Sequence, residues 1–166
     1  MQTLAHMIAT TGGVGHLKPA PGTWGSLAAL PLAFALHSVG GVWLLIAATI
    51  ALFFAGVWAT ARVTAGKADH DPSYVVVDEV VGQWIALWPV SLGLMHSGAG
   101  VMDMWPGWVS AFLLFRLFDI TKPGPVGWAD RRNDPMGVML DDVFAGLMAA
   151  IGVGLLAFLA HGVLGV

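Results

Sequence analysis

The stretch VWLLIAATIALFFAGVWAT, residues 42–60, contains no charged side chain and decides the fold class. A helix needs about 20 predominantly apolar residues to cross the hydrocarbon core of a bilayer. A second run of that length lies at residues 143–165. Both runs predict transmembrane helices, so we expect an integral membrane protein.

The composition of the whole chain agrees with this prediction. The 166 residues are 57% hydrophobic and only 10% charged, whereas about a quarter of a soluble domain is charged. The chain has no cysteine, which excludes disulfides and thiolate zinc sites. A net charge of −3 gives no indication of a nucleic-acid partner. We expect one membrane-embedded domain over residues 1–166.

Three shorter apolar runs complete the pattern, at residues 24–36, 80–95 and 108–120. The first contains Pro31 and is short, so both a full crossing and a re-entrant segment remain open. The other two reach spanning length only if the polar residues at their ends are included. The prediction is a small all-α polytopic bundle with about five apolar segments.

The loop charges predict an orientation. If all five runs cross and the N-terminus is cytoplasmic, Lys18 and the connections 62–67 and 122–132 lie inside the cell. The outer connections, HSVGG at 37–41 and HSGAGVMDMWPG at 96–107, contain no Lys or Arg. This arrangement obeys the positive-inside rule.

Two similar acidic motifs, VVVDEV at 75–80 and VMLDDV at 138–143, stand out in this apolar chain. In the predicted topology, one carboxylate pair opens the third run, Asp119 closes the fourth, and the other pair opens the fifth. The five acids therefore reach the same cytoplasmic boundary and can meet in one site. They are Asp78, Glu79, Asp119, Asp141 and Asp142.

Helix capping is the simplest alternative explanation of these acids. An acid in the first helical turn contributes about 0.3–1 kcal/mol, so either pair alone fits a helix start. Asp119 does not, because it lies at a C-terminal end, where the helix dipole disfavours an anion. Five carboxylates at the edge of a low-dielectric slab would repel one another without a cation. Ligation by oxygen atoms alone favours Mg²⁺.

Basic residues follow Asp119 and precede the second pair. Arg116, Asp119 and Lys122 share one helix face if the helix continues that far, and an ion pair there contributes about 0.2–0.5 kcal/mol. Beside a metal site, Arg116 and Lys122 are also groups that bind phosphate. For Arg131 and Arg132, phosphate binding and a plain positive-inside role both remain open.

A third polar stretch, APGTWGSLAAL at 20–30, precedes the first apolar run. It fits a turn with an N-cap. It also fits an anion site at a helix N-terminus, formed with the hydroxyls of Thr23 and Ser26. Composition does not separate these interpretations.

Four blocks together resemble the phosphatidylglycerophosphatase A family: PGTWGSLAA at 21–29, VVDEVVGQWIAL at 76–87, FRLFDITKPGPVGWAD at 115–130 and GVMLDDVFAG at 137–146. The resemblance implies a bacterial inner-membrane enzyme that uses Mg²⁺ to convert phosphatidylglycerophosphate to phosphatidylglycerol. It implies that the five acids are active-site positions, and that Thr23, Ser26, Arg116, Lys122 and Asp130 belong to the site motifs. One departure is residues 133–137, NDPMG, where the family has a Gly-Gly-rich stretch.

The expected reaction is metal-assisted hydrolysis of a phosphate monoester on a lipid, with the site facing the cytoplasm. We expect Arg116 and Lys122 to offset phosphoryl charge, Asp119 and Asp142 to act with them, and Glu79 to be the general base. An aspartyl-phosphate intermediate is the competing mechanism. The alternative functions are a membrane phosphotransferase, whose Asp-Gly-x-x-Ala-Arg signature is missing, and a cation transporter, which would carry its acids near mid-membrane.

Overall fold

A computed structural model describes residues 2–67, 69 and 71–160. Within these ranges the chain is helical, without strands, as predicted. Six α-helices are joined by loops and by two short 3₁₀ helices, Val14–His16 and Val101–Met104. The α-helices are α1 (Gln2–Ala9), α2 (Pro21–Thr64), α3 (Val77–Ser97), α4 (Trp105–Thr121), α5 (Pro125–Asp130) and α6 (Pro135–Phe158).

Helix α2 consists of two arms, because Gly40 and Gly41 have non-helical backbone angles. Gly41 has φ of 63°, a conformation that costs glycine little and other residues more. The first arm begins beside the start of α3 and ends beside Met95, near the end of α3. The second arm returns, since the Val42 N–H donates to Met95 Sδ at 3.2 Å and Gly56 packs beside Val77. The first two apolar runs thus form a helical hairpin.

Helix α3 lies at the centre of the bundle, between α2 and α6. Its contact with α6 is close because Gly82 and Gly146 face each other: a Cβ on Gly146 would overlap the Gly82 carbonyl oxygen. A Cβ on Gly82 would in turn lie 2.6 Å from the Asp142 carbonyl oxygen. Small residues allow two helix backbones to approach in this way. The contact brings the first turns of α3 beside Asp142.

The outer surface of the bundle is apolar. Trp43, Phe54, Ile151 and Phe158 are each at least 64% exposed, and large exposed apolar areas indicate a membrane or a partner. Among the described residues, α2 and α6 are long and apolar enough to cross a membrane. These helices fit a transmembrane protein, while the number of crossings stays a prediction.

The start of α6 differs from the sequence-based expectation. The helix begins at Pro135, not at residue 143, because Asp134 is its N-cap and accepts a hydrogen bond from the Gly137 N–H at 2.6 Å. The prediction that Asp141 and Asp142 open the last helix is therefore wrong. They lie in the second turn, where N-capping does not explain them. The predicted run to residue 165 extends past residue 160, outside the described residues.

Asp134→Ala is expected to destabilise the protein by about 0.5–2 kcal/mol, because the substitution removes the side-chain acceptor of this cap. The Gly137 N–H lowers the pKa of Asp134, so the capping carboxylate is ionised at neutral pH. Thermal unfolding in detergent measures the effect. Asp134→Asn is the matched control and should retain most of the stability, since asparagine also caps helices. Equal losses in the two variants would contradict a capping role.

Candidate active site

A polar cavity of about 270 Å³ lies at one end of the bundle, where α2 and α3 begin and α4 ends. All five acids singled out in the sequence line it, together with Arg116 and Lys122. The remaining lining residues are Ala20, Pro21, Gly22, Asp71, Ser73 and Val75. Residues separated by up to 122 positions along the chain thus meet because three helix ends converge.

Three carboxylates form the closest group in this cavity. Glu79, Asp119 and Asp142 each offer one oxygen, and these oxygens lie within 4.8 Å of one another. Asp142 is 2% exposed, and its Oδ1 atom is buried without a hydrogen-bond partner among the described residues. A buried carboxylate oxygen without a donor is costly unless a cation or proton accompanies it.

Asp78 and Asp141 occupy equivalent positions in their two motifs. The Oδ1 atom of each accepts a hydrogen bond at 2.9 Å from the N–H of the next residue, Glu79 or Asp142. Both are buried, with 7% and 5% exposure. These contacts fix the first acid of each pair and leave the second acid free to join the three-carboxylate group.

Arg116 holds the acids of α3 and α4 together. Its guanidinium pairs with Glu79 and lies 2.8 Å from Asp119 Oδ2. Ser26 Oγ is 3.1 Å from Glu79 Oε2 and 3.5 Å from Arg116. A Cβ on Gly22 would overlap the Glu79 carboxylate, so a larger residue there would displace that carboxylate from its present position. The PGTWGS stretch therefore supplies close backbone contact and one hydroxyl.

Lys122 reaches the cavity differently from the predicted continuous helix face. Helix α4 ends at Thr121, and Lys122 is its C-cap, with a left-handed φ of 46°. Its ammonium pairs with Asp130 and lies 2.8 Å from Asp141 Oδ2. Burial lowers the pKa of Lys122, but hydrogen bonds with Asp130 and Asp141 outweigh that effect and raise it. The side chain therefore stays charged at neutral pH.

The other predicted substrate-binding residues do not line the cavity. Thr23 lies on α2 beside it. Arg132 pairs with Asp134 at 3.0 Å and lies over the Trp128 ring. Arg131 is exposed at the end of α5. Asp130 lies outside the cavity lining and forms an ion pair with Lys122, which lines the cavity.

Asp71 is a cavity residue that the sequence reasoning did not select. Desolvation raises its pKa despite the opposing charge of Lys122, and the neighbouring carboxylates raise it further. Asp71 lies on the connection before α3, on the side predicted to be cytoplasmic. This position on the chain could have identified Asp71 from the sequence, because the other acids had already been assigned to the same membrane boundary.

The donor set fits a hard divalent cation. Adjacent oxygens around octahedral Mg²⁺ lie about 3 Å apart and opposite oxygens about 4 Å apart, while the three carboxylate oxygens span up to 4.8 Å. The three oxygens would therefore have to move closer together to share one ion. The unpartnered oxygen of Asp142 is the observation that most favours a cation.

Comparison with known proteins identifies the family. The family model for phosphatidylglycerophosphatase A matches residues 7–157. The chain belongs to this family. As a phosphatidylglycerophosphatase A family member it is a hydrolase of phospholipid biosynthesis, and the resemblance of the four sequence blocks is confirmed.

Relatives support the assignment over most of the chain. It is 38% identical over 150 residues to phosphatidylglycerophosphatase A of Haemophilus influenzae, covering 89% of this chain and 85% of that protein. The Escherichia coli phosphatidylglycerophosphatase A is 33% identical over 159 residues, with 94% and 83% coverage. A Bacteroides thetaiotaomicron protein named as a candidate phosphatidylinositol-3-phosphatase is 39% identical over 150 residues, with 87% and 88% coverage. No solved structure matches.

Proposed function

We propose that this protein hydrolyses the terminal phosphate monoester of phosphatidylglycerophosphate and releases phosphatidylglycerol and inorganic phosphate. The observation that carries the proposal is the cavity itself. Five carboxylates and two cationic side chains, drawn from α3, α4, its C-cap and α6, line one polar space. The family assignment supplies the lipid substrate. We extend the proposal to residues 1–166 as one catalytic domain.

In this reaction, water attacks phosphorus and the ester P–O bond breaks, so the leaving alkoxide of the lipid must gain a proton. Arg116 and Lys122 are placed to offset the charge of the transferring phosphoryl group. Glu79 accepts hydrogen bonds from Ser26 and Arg116 at the wall of the cavity, which orients its carboxylate. We assign Glu79 as the general base that takes a proton from the attacking water, through the carboxylate oxygen that does not bind the metal.

We propose Mg²⁺ as the cofactor, held by Glu79, Asp119 and Asp142, with Asp78 and Asp141 completing the anionic wall. When bound, Mg²⁺ supplies Lewis-acid stabilisation of phosphate charge and activation of water. Arg116 and Lys122 each pair with two carboxylates and thereby offset the repulsion between them. Thr23, Arg131, Arg132 and Asp130 remain proposed contributors to headgroup binding from outside the cavity lining.

The location we propose is the bacterial cytoplasmic membrane, crossed several times, with the cavity facing the cytoplasm. The seven Lys and Arg residues of the sequence lie at the cavity end of the helices or in the loops there. The connections at the opposite end, around Gly40 and before α4, contain none. This asymmetry supports the positive-inside orientation.

Cysteine labelling tests the orientation directly, because the native chain has no cysteine. In intact cells, Val39→Cys should react with an impermeant maleimide, since Val39 is 83% exposed at the opposite end from the cavity. Asn133→Cys, on the exposed loop before α6, should react only after the cells are opened. Labelling of Asn133→Cys in intact cells would overturn the proposed orientation.

A phosphatase for phosphatidylinositol 3-phosphate is the second candidate function, because one relative carries that name. Both lipids offer a terminal phosphate monoester, so the cavity alone favours neither. We expect the purified protein to hydrolyse phosphatidylglycerophosphate with a kcat/KM at least about tenfold higher than its kcat/KM for phosphatidylinositol 3-phosphate. That ratio corresponds to a difference of about 1.4 kcal/mol in transition-state stabilisation.

Phosphate release from each lipid in the same mixed micelles measures this ratio. Phosphatidic acid, whose phosphate is attached directly to diacylglycerol, is the control for hydrolysis of any lipid phosphate monoester. A ratio below one would assign the inositol lipid as the preferred substrate. Release from neither lipid would contradict the proposed function.

A further inference from the structure

A second, apolar groove of about 310 Å³ lies farther along the bundle, between the first arm of α2 and the start of α4. Its walls include Leu30 and Phe34 from α2 and Trp105 and Trp108 from α4. Val101, on the short helix before α4, closes one side. Every lining residue is apolar, which distinguishes this groove from the carboxylate cavity.

The groove and the cavity belong to one continuous seam between the same two helices. On α2, Gly22, Ser26, Leu30 and Phe34 recur every fourth residue and therefore share one face. Gly22 lines the cavity, Ser26 contacts Arg116, and Leu30 and Phe34 line the groove.

Helix α4 shows the complementary order in the opposite direction. Asp119 lines the cavity, Arg116 contacts Ser26, and Trp108 and Trp105 line the groove. The two helices are thus antiparallel. Residues of α2 and α4 line both the carboxylate cavity and the apolar groove, and the contact of Ser26 with Arg116 lies between them.

The length of the seam matches the depth of a lipid leaflet. With a rise of about 1.5 Å per residue, Leu30 and Phe34 lie about 12 and 18 Å from Gly22 along α2, and Trp108 and Trp105 lie about 16 and 21 Å from Asp119 along α4. One leaflet contributes half of a hydrocarbon core about 30 Å thick, or about 15 Å. A lipid whose headgroup phosphate lies in the cavity therefore brings the ends of its long hydrocarbon chains to the near edge of the groove, at Leu30 and Trp108.

We propose that the groove binds an acyl chain of the substrate lipid and thereby makes hydrolysis dependent on chain length. The inference rests on the proposed function, because it takes the lipid whose phosphate binds in the cavity to be the substrate and assigns a binding site for one of its acyl chains. The substrate's own acyl chain is the occupant that the seam favours, because the seam joins the groove to the cavity that we assign to the phosphate of the same lipid.

The first test fills the groove. Leu30→Trp should lower kcat/KM for dipalmitoyl phosphatidylglycerophosphate at least about fivefold in detergent micelles, and should leave kcat/KM for the dihexanoyl lipid within about twofold, since its chains end before the groove. Leu32→Trp is the matched control on the same arm, because Leu32 is 45% exposed and lies outside the groove. That variant should change neither value. Equal effects on the two lipids, or no effect of Leu30→Trp, would overturn the proposal.

The second test needs no turnover and so separates the inference from the proposed function. In EDTA, phosphatidylglycerophosphate with a diazirine near the methyl end of one long acyl chain should crosslink preferentially to Leu30 and Trp108. Phosphatidylcholine with the same chain should label the exposed apolar surface broadly. Identical crosslinking patterns for the two lipids would overturn the acyl-chain site, even if the separate assay with Mg²⁺ shows normal phosphate release. Absence of phosphate release with preferential crosslinking would contradict the proposed function and leave the acyl-chain site standing.

Discussion

Asp142→Asn is expected to reduce phosphatidylglycerophosphate hydrolysis by about a hundredfold or more, without unfolding the protein. The substitution preserves the shape of the side chain and removes one negative charge from the three-carboxylate group. Asp142 is buried, and its Oδ1 atom has no partner among the described residues. Such an atom contributes little to stability by itself, so its place in the group is best explained by a ligand role.

The stability of Asp142→Asn separates a ligand role from a structural one. Removing an unpaired buried charge relieves a desolvation cost, so the melting temperature without added metal should stay equal or rise. Asp103→Asn is the matched control, because Asp103 is exposed at the opposite end of the bundle and asparagine can still accept from the Gly100 N–H. The control should keep full activity. A lower melting temperature together with partial activity in Asp142→Asn would instead indicate a structural residue.

The sequence predicted which acids meet because topology and charge both constrain a membrane protein. Charged residues collect at the ends of apolar runs, so the predicted alternation of crossings places the start of the third run, the end of the fourth and the start of the fifth on one side. The structure brings Asp78, Asp119 and Asp142 into one cavity in this way. This prediction used only the predicted direction in which each apolar run crosses the membrane. It did not require knowledge of how the helices pack against one another.

Local backbone geometry was outside the reach of that reasoning. The start of α6 was misplaced because only hydropathy was used, although Asp134 followed by Pro135 is a sequence signature of an N-cap and first helical position. Lys122 was expected on the helix face of Arg116 and Asp119 if the helix continued that far, but α4 ends at Thr121 and the left-handed C-cap directs Lys122 toward Asp141. Both features depend on one residue's dihedral angles, which hydropathy does not encode.

Glycine contacts were the other feature that the sequence left undetermined. Gly22 was interpreted as part of a turn or an anion site, and the structure shows that it allows the Glu79 carboxylate to approach the α2 backbone. Gly82 and Gly146 were not singled out, although their contact sets the spacing of α3 and α6. A glycine in a membrane helix indicates close approach, but its partner is known only once the helices are packed.

Removal of divalent metal is expected to abolish hydrolysis, and Mg²⁺ is expected to restore it fully. The three carboxylate oxygens lie within 4.8 Å of one another, close to the spacing of oxygens around a small hard cation. Without a cation, Arg116 alone balances Glu79 and Asp119, and Asp142 has no counter-ion among its described contacts. Activity in EDTA followed by stepwise addition of Mg²⁺ measures the dependence.

Ca²⁺ should bind the same group without supporting turnover. It accepts oxygens at about 2.3–2.6 Å, compared with about 2.0–2.1 Å for Mg²⁺, so the carboxylates can hold it while the phosphate and water lie farther apart and are polarised less. We therefore expect Ca²⁺ to inhibit competitively with Mg²⁺, and Mn²⁺ to substitute because it favours octahedral oxygen ligation.

A thermal shift provides a second readout that does not depend on catalysis. A ligand at a hundred times its Kd stabilises the folded state by about 2.7 kcal/mol, so both Mg²⁺ and Ca²⁺ should raise the melting temperature of the wild-type protein. Asp142→Asn should show a smaller shift or need more metal, whereas Asp103→Asn should respond like the wild type. Full activity in EDTA after proven removal of metal, with no thermal shift on adding Mg²⁺, would refute the metal site and leave the carboxylates to act through proton transfer alone.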